Sequence, residues 1–497
     1  MQTFDRLLVA NRGEIAIRVM RACRELGISP IAVHSDADAD SLHVRLADAS
    51  HRIGPPAPAE SYLSIDAIVD AAVRSGAPAI HPGYGFLSEN ADFARAVEAA
   101  GLVFIGPPAA TLESLGNKLA ARRGAEEAGV PIVPGTTVAL EDDLVDLASI
   151  GYPLMLKAAA GGGGRGMRRV EAAHEVADAL AAARREARSA FGDGTIYAER
   201  LVAPARHVEV QLLGDRHGRL AVMGERDCSV QRRHQKLVEE SPSPGVDAAT
   251  RDALFESARR VAGTVDFHNA ATVEFLLDED RNHYFLEMNT RLQVEHGVTE
   301  LVTGLDLVAW QIRVAAGEPL PDAVLAAGGR GHAIEVRLYA EDPYDDFRPA
   351  AGRVTAWQMP AGPGIRVDAG IDADTDLRPE YDPLLAKLMV HAEDRAAAVD
   401  RLRRALDETL IGGLQTDAGF LRWLVDDDAF VSGAYDTGLI GDRWSAGREL
   451  PAGDAALAAT AALATREARG AAPVRADLTA EDGSAWGHMA RREALRR

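Results

Sequence analysis

The stretch FLEMNTRLQVEHGVTE, residues 285–300, sets Glu287, Asn289, Arg291, Gln293 and Glu295 at every second position, with Met288, Thr290, Leu292 and Val294 between them. Successive side chains of a strand point to opposite faces, so these five polar groups are expected to share one face. Alternation of this kind usually marks a strand with one wet side. Two features oppose that reading. Glu287 follows the run HYFL, an apolar and aromatic approach that suggests burial. Upstream, ATVEFLL (271–277) reads as a second strand and DEDRN (278–282) as the turn that joins the two. A turn centred between Asp280 and Arg281 puts Glu274 directly opposite Glu287, and facing like charges destabilise a sheet. A divalent cation between them removes the conflict, with Asn289 as a further oxygen ligand. Hard oxygen ligands suit Mg²⁺ or Mn²⁺, above all when a nucleotide supplies the remaining ones. On a straight strand Glu295 lies about 26 Å beyond Glu287, so Arg291 and Glu295 are expected to form a second site, end to end with the first.

The chain around this stretch has 497 residues, enough for about three domains. At 47% hydrophobic and 26% charged it has the composition of a soluble globular protein, and no apolar run is long enough to span a bilayer. The start, MQTFDRLLVANRGE, is not a secretory signal. Two cysteines, Cys23 and Cys228, offer no disulfide framework and point to a reducing cytoplasm. A net charge of −21 argues against nucleic acid or an acidic membrane as partner, so an anionic substrate needs a local basic pocket. Of 54 basic residues only Lys118, Lys157, Lys236 and Lys387 are lysine. An ammonium is a slender point charge that a planar guanidinium does not replace, so each lysine marks a place where Arg would not fit.

Strand and helix patterns alternate at the start. RLLVA and SPIAVHS read as strands, GEIAIRVMRACRELG as a helix ending on Gly27, and a third βα unit ends near residues 78–90. This predicts an open parallel sheet with ligand sites at the carboxyl ends of its strands. No glycine fingerprint follows the first strand, so nothing supports a dinucleotide site. Beyond residue 331, GHAIEVRLYAEDP and GRVTAWQMP read as strands. Residues 395–413 read as an amphipathic helix with Val399, Leu402, Leu406 and Leu410 on one stripe. The Ala- and Arg-rich tail, 446–497, carries no readable function.

YPLMLKAAAGGGGRGMRRV (152–170) contains G-x-G-x-x-G at Gly161, Gly163 and Gly166, a weak signal alone. Strand patterns on both sides make it a hairpin over a ligand, and the absence of G-K-[ST] excludes the P-loop. Glycine N–H groups with Lys157 just before them suit a polyphosphate. ERDCSVQRRHQK (225–236) crowds Arg226, Gln231, Arg232, Arg233, His234 and Lys236 together, the expected anion pocket of an acidic protein. Glu199, His207 and Glu209 stand at a strand entrance, suited to hydrogen-bonding an adenine or a ribose.

LLVANRGEIAIR, HPGYGFLSEN, KAAAGGGGRGM, RDCSVQRRHQKLVEE, EMNTRLQVEH and EYDPLLAKL occur in an order and spacing that resembles the biotin carboxylases, over about residues 3–440. The resemblance implies an α/β fold, α+β in part. It implies a Rossmann-like pre-ATP-grasp domain (1–115), an ATP-grasp domain (116–330, mobile lid about 131–203) and a C-terminal biotin carboxylase domain (331–445). It implies that Lys118 and Lys157 contact the phosphates of ATP and that Gly162, Gly163, Gly164 and Met167 bind nucleotide in the lid. Glu199, Val202, His207, Gln231, His234 and Leu276 match further nucleotide contacts. Glu274 and Glu287 match ligands of Mg²⁺ or Mn²⁺, with Asn289 beside them. Lys236, Arg291, Gln293 and Val294 match the bicarbonate pocket, Glu295 the general base, and Arg337 the cation that stabilises the biotin enolate. The implied partners are a biotin carboxyl carrier protein, a carboxyltransferase and a second copy of the chain, in the cytoplasm. The final acceptor would be an acyl-CoA of the acetyl- or propionyl-CoA type.

Two departures stand out: Ala160 where a further glycine usually begins the run, and Gly297 where proline usually follows EH, which is expected to loosen the chain beside Glu295. The rival readings are another ATP-grasp ligase joining a carboxylate to an amine, and an inactive scaffold subunit. The first has no need of Arg291, Glu295 and Arg337 together, and the second would have lost one of them. None of the four lysines lies in an Ala-Met-Lys-Met-like turn, so biotin is expected to act in trans and not to be attached to this chain.

Overall fold

The computed structural model describes residues 4–136, 147–159 and 167–445. The first five strands are β1 (Arg6–Val9), β2 (Ser29–Ser35), β3 (Ala49–Gly54), β4 (Ala79–His81) and β5 (Val103–Phe104), all parallel, in the order β3-β2-β1-β4-β5. Leu7, Leu8 and Val9 are fully buried, as a strand covered on both faces requires. The helix Gly13–Glu25 buries Ile15, Val19, Met20 and Cys23 and is followed by Gly27, whose φ of 73° favours glycine. Strand order reverses at β1, which opens a crevice beyond the ends of β1 and β4. There Asn11 donates to the carbonyls of Pro82 and Tyr84 at 2.8 Å each, tying the two loops together. The edge strand β3 was absent from the sequence reading because ASHRIG buries only Ile53 and Gly54. Neither alternation nor an apolar run marks it.

β6 (Leu154–Ala158), β7 (Arg168–Val170) and β8 (Ile196–Arg200) form a small antiparallel sheet with β6 in the middle. Leu154 pairs with Val170, so the glycine-rich segment does connect a hairpin. Ala160 and Gly162–Gly164 themselves lie outside the described residues.

The largest sheet holds β9 (Arg206–Gly214), β10 (Leu220–Arg232), β11 (Gln235–Ser241), β12 (Asn269–Leu277), β13 (His283–Asn289) and β14 (His332–Tyr339). Its order is β13-β12-β9-β10-β11-β14, continued by strands Leu384–Ala392 and Ile365–Ala369. One ladder thus crosses residue 330, with Val238 of β11 facing Val336 of β14. All of β14 is buried, which places its charged residues inside the molecule. The helix near the C-terminal end runs Arg395–Glu408 and buries Val399, Leu402 and Leu406. Leu410 is not on it. It sits in the short strand Leu410–Gly412 and is 44% exposed. GRVTAWQMP forms two short pieces, Gly352–Arg353 and Ala356–Gln358. Cys23 and Cys228 are free and buried. Among the described residues no helix is long and apolar enough to cross a membrane.

Candidate active site

Glu274 does face Glu287, but the ladder reaches that pairing through a bulge. Beside the turn the partners are Leu277–His283, Leu276–Tyr284 and Phe275–Phe285, a frame centred on Asp280 and not between Asp280 and Arg281. The register then shifts between Phe275 and Glu274. Leu286 is the extra residue, and beyond it Val273 faces Met288 and Thr272 faces Asn289. Asn289 Nδ2 donates to Glu274 Oε1 at 2.8 Å.

The expected straight continuation to Glu295 does not occur. β13 stops at Asn289, and the helix His296–Thr303 starts immediately after Glu295, its N-cap residue. Glu89, from the loop after β4, accepts from Thr290 N–H (3.2 Å) and Arg291 Nε (3.0 Å), giving the chain an alternative to the ladder. Residues 290–295 fold back, and Gln293 Nε2 comes within 3.3 Å of Glu274 Oε1. Lys236 Nζ joins Glu274 (3.0 Å), Glu295 (2.7 Å) and Glu209 (2.7 Å) in one contact set. The two sites expected end to end are therefore one.

Charges decide the state of this cluster. Burial opposes the charge on Lys236, but the charges of Cys228, Glu209, Glu274 and Glu295 more than offset it, and the ammonium is held well above its ordinary range. Burial likewise pushes Glu295 up, yet Lys236, Arg337 and Arg226 keep its carboxyl well below the carboxylate range. Arg337 Nη2 lies 2.9 Å from Glu295 Oε2. Glu274 is also held low, by Lys236 and His207 against burial, and His207 Nε2 is 2.8 Å from Glu274 Oε2. Lys118 Nζ pairs with Glu287 Oε2 at 2.7 Å, and Glu287, Glu274 and Glu199 outweigh burial to raise it. Arg291 Nη1 meets Gln293 Oε1 at 2.9 Å.

A second group lies on the small sheet. Lys157 on β6 and Arg122 pair with opposite oxygens of buried Glu199 on β8, and Arg122 Nη1 is 2.6 Å away. Met167 precedes β7 and Val202 follows β8, both half-buried. On the large sheet Leu276 is the cross-strand partner of His207. Gln231 is the last residue but one of β10, and His234 lies in the turn to β11, where Arg233 and His234 have φ of 49° and 67°. Burial, then Lys157 and His207, lower the His234 pKa, so the turn is electrostatically coupled to both groups.

Three sequence expectations fail here. The basic run is not one pocket: Arg226 is fully buried against Glu209, while Arg232 and Arg233 pair with Asp346 at the surface. Strand alternation and the turn divide the run: Arg226 and Lys236 enter the carboxylate cluster through Glu209, and Arg232 and Arg233 do not. Glu209 does not face an open nucleotide site, because Arg226 and Lys236 occupy its two oxygens. Gly297 does not loosen the chain. It is buried in the helix first turn, and a Cβ there would lie 2.2 Å from Met389 Sδ and 3.2 Å from Glu335 Oε2. The residue is small because there is no room.

Lys387 was the lysine without a role. Its Nζ donates to the carbonyl of Val294 at 2.7 Å and lies 3.3 Å from Glu14 Oε1, which puts an ammonium against the backbone just before Glu295. The scarcity of lysine was the signal that could have found it. Glu239, Glu335 and Glu14 gave none, since buried acids in strands and helices look like ordinary surface charge in a sequence.

Comparison with known proteins agrees with this architecture. Family models match residues 3–112 (biotin carboxylase, N-terminal domain), 117–323 (carbamoyl-phosphate synthase L chain, ATP binding domain) and 335–442 (biotin carboxylase C-terminal domain). Together they define an ATP-binding ligase. The biotin carboxylase of Halalkalibacterium halodurans is 50% identical over 88% of this chain and 97% of its own length. The propionyl-CoA carboxylase alpha chain of Ruegeria pomeroyi is 46% identical over 93% of this chain and 72% of its own. Among solved structures, a Campylobacter jejuni biotin carboxylase-beta-gamma-ATP complex superposes with a TM-score of 0.86 at 43% identity, covering 89% of this chain and 99% of that one. The biotin carboxylase domain dimer of Hydrogenobacter thermophilus 2-oxoglutarate carboxylase, with magnesium ADP, ADP and bicarbonate, gives 0.87 at 42% identity, covering 91% and 100%. The chain belongs to the biotin carboxylase family. It is a ligase that carboxylates biotin with ATP and bicarbonate.

Proposed function

We propose that the chain carboxylates biotin presented by a separate carrier protein, as the first half-reaction of an acyl-CoA carboxylase, with the roles divided as follows. Lys236 and Arg291, with Gln293 and the backbone of Val294, hold bicarbonate. Glu295 removes its proton as a bicarbonate oxygen attacks the γ-phosphorus of ATP, forming carboxyphosphate and releasing ADP. Lys118 and Lys157 hold the phosphates, and Glu199, Val202, His207, Gln231, His234 and Leu276 contact the nucleotide, with Gly162, Gly163, Gly164 and Met167 as further contacts. Carboxyphosphate yields CO₂ and phosphate; the released phosphate takes the ureido N–H proton of biotin, and that nitrogen bonds to the CO₂ carbon. Arg337 stabilises the enolate form of that ureido group.

The observation that carries this reading is the position of Glu295, between Lys236 at 2.7 Å and Arg337 at 2.9 Å. With both cations on it the carboxylate is a weak base. An anion bound to Lys236 draws that cation away and raises the basicity of Glu295, so substrate binding itself activates the base. The facing carboxylates also fit a divalent metal, because each already meets a cation, Lys236 or Lys118, and the Asn289 side-chain amide already touches Glu274 on the same ladder. Glu274, Glu287 and Asn289 would hold Mg²⁺ or Mn²⁺, which when bound neutralises charge on the ATP phosphates.

The division into segments 1–115, 116–330 and 331–445, a homodimer, and a cytoplasmic setting consistent with two free buried cysteines complete the proposal. ATP cleavage is expected to require bicarbonate and to accelerate with free biotin. Cleavage indifferent to bicarbonate would overturn the reading. Streptavidin blotting of the chain co-expressed with a biotin ligase is expected to be blank, and a biotinylated lysine found by mass spectrometry would refute action in trans.

A further inference from the structure

Two acidic residues without a part in the chemistry above sit behind Arg337. Glu239 on β11 and Glu335 on β14 are direct cross-strand partners. Both are fully buried, and among the described residues none of their four carboxyl oxygens has an aligned hydrogen bond. Facing like charges and unsatisfied buried acids are both costly, so the arrangement calls for a reason. Glu239 forms an ion pair with Arg337 through Nη2, the same nitrogen that meets Glu295 Oε2 at 2.9 Å. Arg337 Nε has no partner among the described residues. Its two carboxylate contacts are thus made by one nitrogen, shared between the proposed base and a second carboxylate, while Tyr339 on the same strand also meets the guanidinium. Glu335 lies under the helix that begins after Glu295, next to the place where a side chain on Gly297 would stand.

We propose that Glu239 is a positioning residue for Arg337: it supplies the counter-charge that keeps the guanidinium in place when Glu295 takes up a proton and loosens its hold on Nη2. Without Glu239, proton uptake would leave a buried cation with no anion beside it, free to leave the substrate at the moment its charge is needed. Glu335 makes this workable. Burial pushes Glu335 well above the carboxylate range, Lys387 opposes it and the neighbouring Glu239 adds to it, so of the two acids Glu335 holds a proton the more firmly and Glu239, paired with Arg337, ionises the more readily. Burial pushes Glu239 less far, to about 7, because Arg337 pulls it down.

The inference rests on the assignment of Arg337 to biotin. Two rates in the full chain test it: bicarbonate-dependent ATP cleavage without biotin, and the rate stimulated by free biotin. Glu239→Gln keeps the shape and removes the charge. It is expected to lower the stimulated rate by about tenfold or more, with the biotin-free rate and the KM for ATP within about twofold of the parent. In an Arg337→Ala background the same substitution is expected to add less than about twofold, because it acts through Arg337. Both rates falling together, or effects that multiply, would show a merely structural role and overturn the proposal. A full stimulated rate in Glu239→Gln, with Arg337→Ala impaired, would overturn it and leave the role of Arg337 standing. A full stimulated rate in Arg337→Ala would remove both. If Glu239→Gln does not fold, Glu239→Asp draws the charge back by one methylene. Its expected loss is about threefold, again confined to the stimulated rate.

Discussion

On the large sheet Glu274 is set directly opposite Glu287, with Glu209 facing it from the other side, and Glu239 is set directly opposite Glu335. Both pairs join antiparallel strands, and their electrostatic states are opposite. Lys236 and His207 reach Glu274, and Lys118 reaches Glu287, so the first pair is an anionic pocket with cations poised in it. At the second pair a single guanidinium touches Glu239, Glu335 has no aligned hydrogen bond among the described residues, and burial pushes both acids up. A facing acid pair is therefore not in itself a metal site. The cations that other elements bring to it decide whether it holds positive charge or a proton.

Glu295 stands between the pairs, in contact with Lys236 of the first and Arg337 of the second, so its loss should be felt most. Glu295→Gln is expected to lower turnover about 10²- to 10⁴-fold with little change in the KM for ATP, measured by steady-state ATP cleavage. Near-normal turnover would remove the general base.

The comparison sharpens further with metal titrations. Glu274→Gln or Glu287→Gln is expected to raise the Mg²⁺ concentration for half-maximal activity by about 10- to 100-fold. Glu335→Gln should leave that titration where it was, and a shift of equal size there would make the two pairs alike.

A smaller effect probes the packing over the second pair. In Gly297→Ala the added methyl meets Met389 Sδ and Glu335. Overpacking costs about 1–3 kcal/mol and the gain in helix propensity returns up to about 1, so a net loss of about 1 kcal/mol is expected in urea unfolding. Combined with Met389→Val, the loss should be less than the sum of the two single variants.

The smallest effect is a slope. A carboxyl whose folded-state pKa is raised favours the fold while it is protonated, and that contribution is lost as pH rises from the unfolded value, near 4.5, through the folded one. Glu335→Gln removes the titration, so its thermal midpoint should fall less than that of the parent between about pH 6 and about pH 9. Parallel curves would mean that Glu335 is already ionised in the native state.

Local pattern carried much of this molecule. The parallel opening sheet, the glycine-segment hairpin, the facing of Glu274 and Glu287, and three of the four lysines were legible because strand periodicity and turn chemistry act over a few residues. The frame at the turn was off by one residue, since a bulge at Leu286 has no mark in FLEMN. The basic run misled for a related reason: alternation along β10 sends Arg226 inward, while the turn leaves Arg232 and Arg233 at the surface, and composition cannot see direction.

By itself, then, the sequence determined the parallel opening sheet, the hairpin around the glycine segment and the facing of Glu274 and Glu287. Only the tertiary structure decided that Glu295 returns to Glu274 through Lys236, since that depends on Glu89 capturing Thr290 and Arg291 from more than two hundred positions away along the chain. It alone brought Lys387 to Val294, closed the space around Gly297 and set Glu239 behind Arg337. Each of these joins residues far apart in the chain, where a contact is fixed by packing of the whole fold and leaves no periodic trace in the letters.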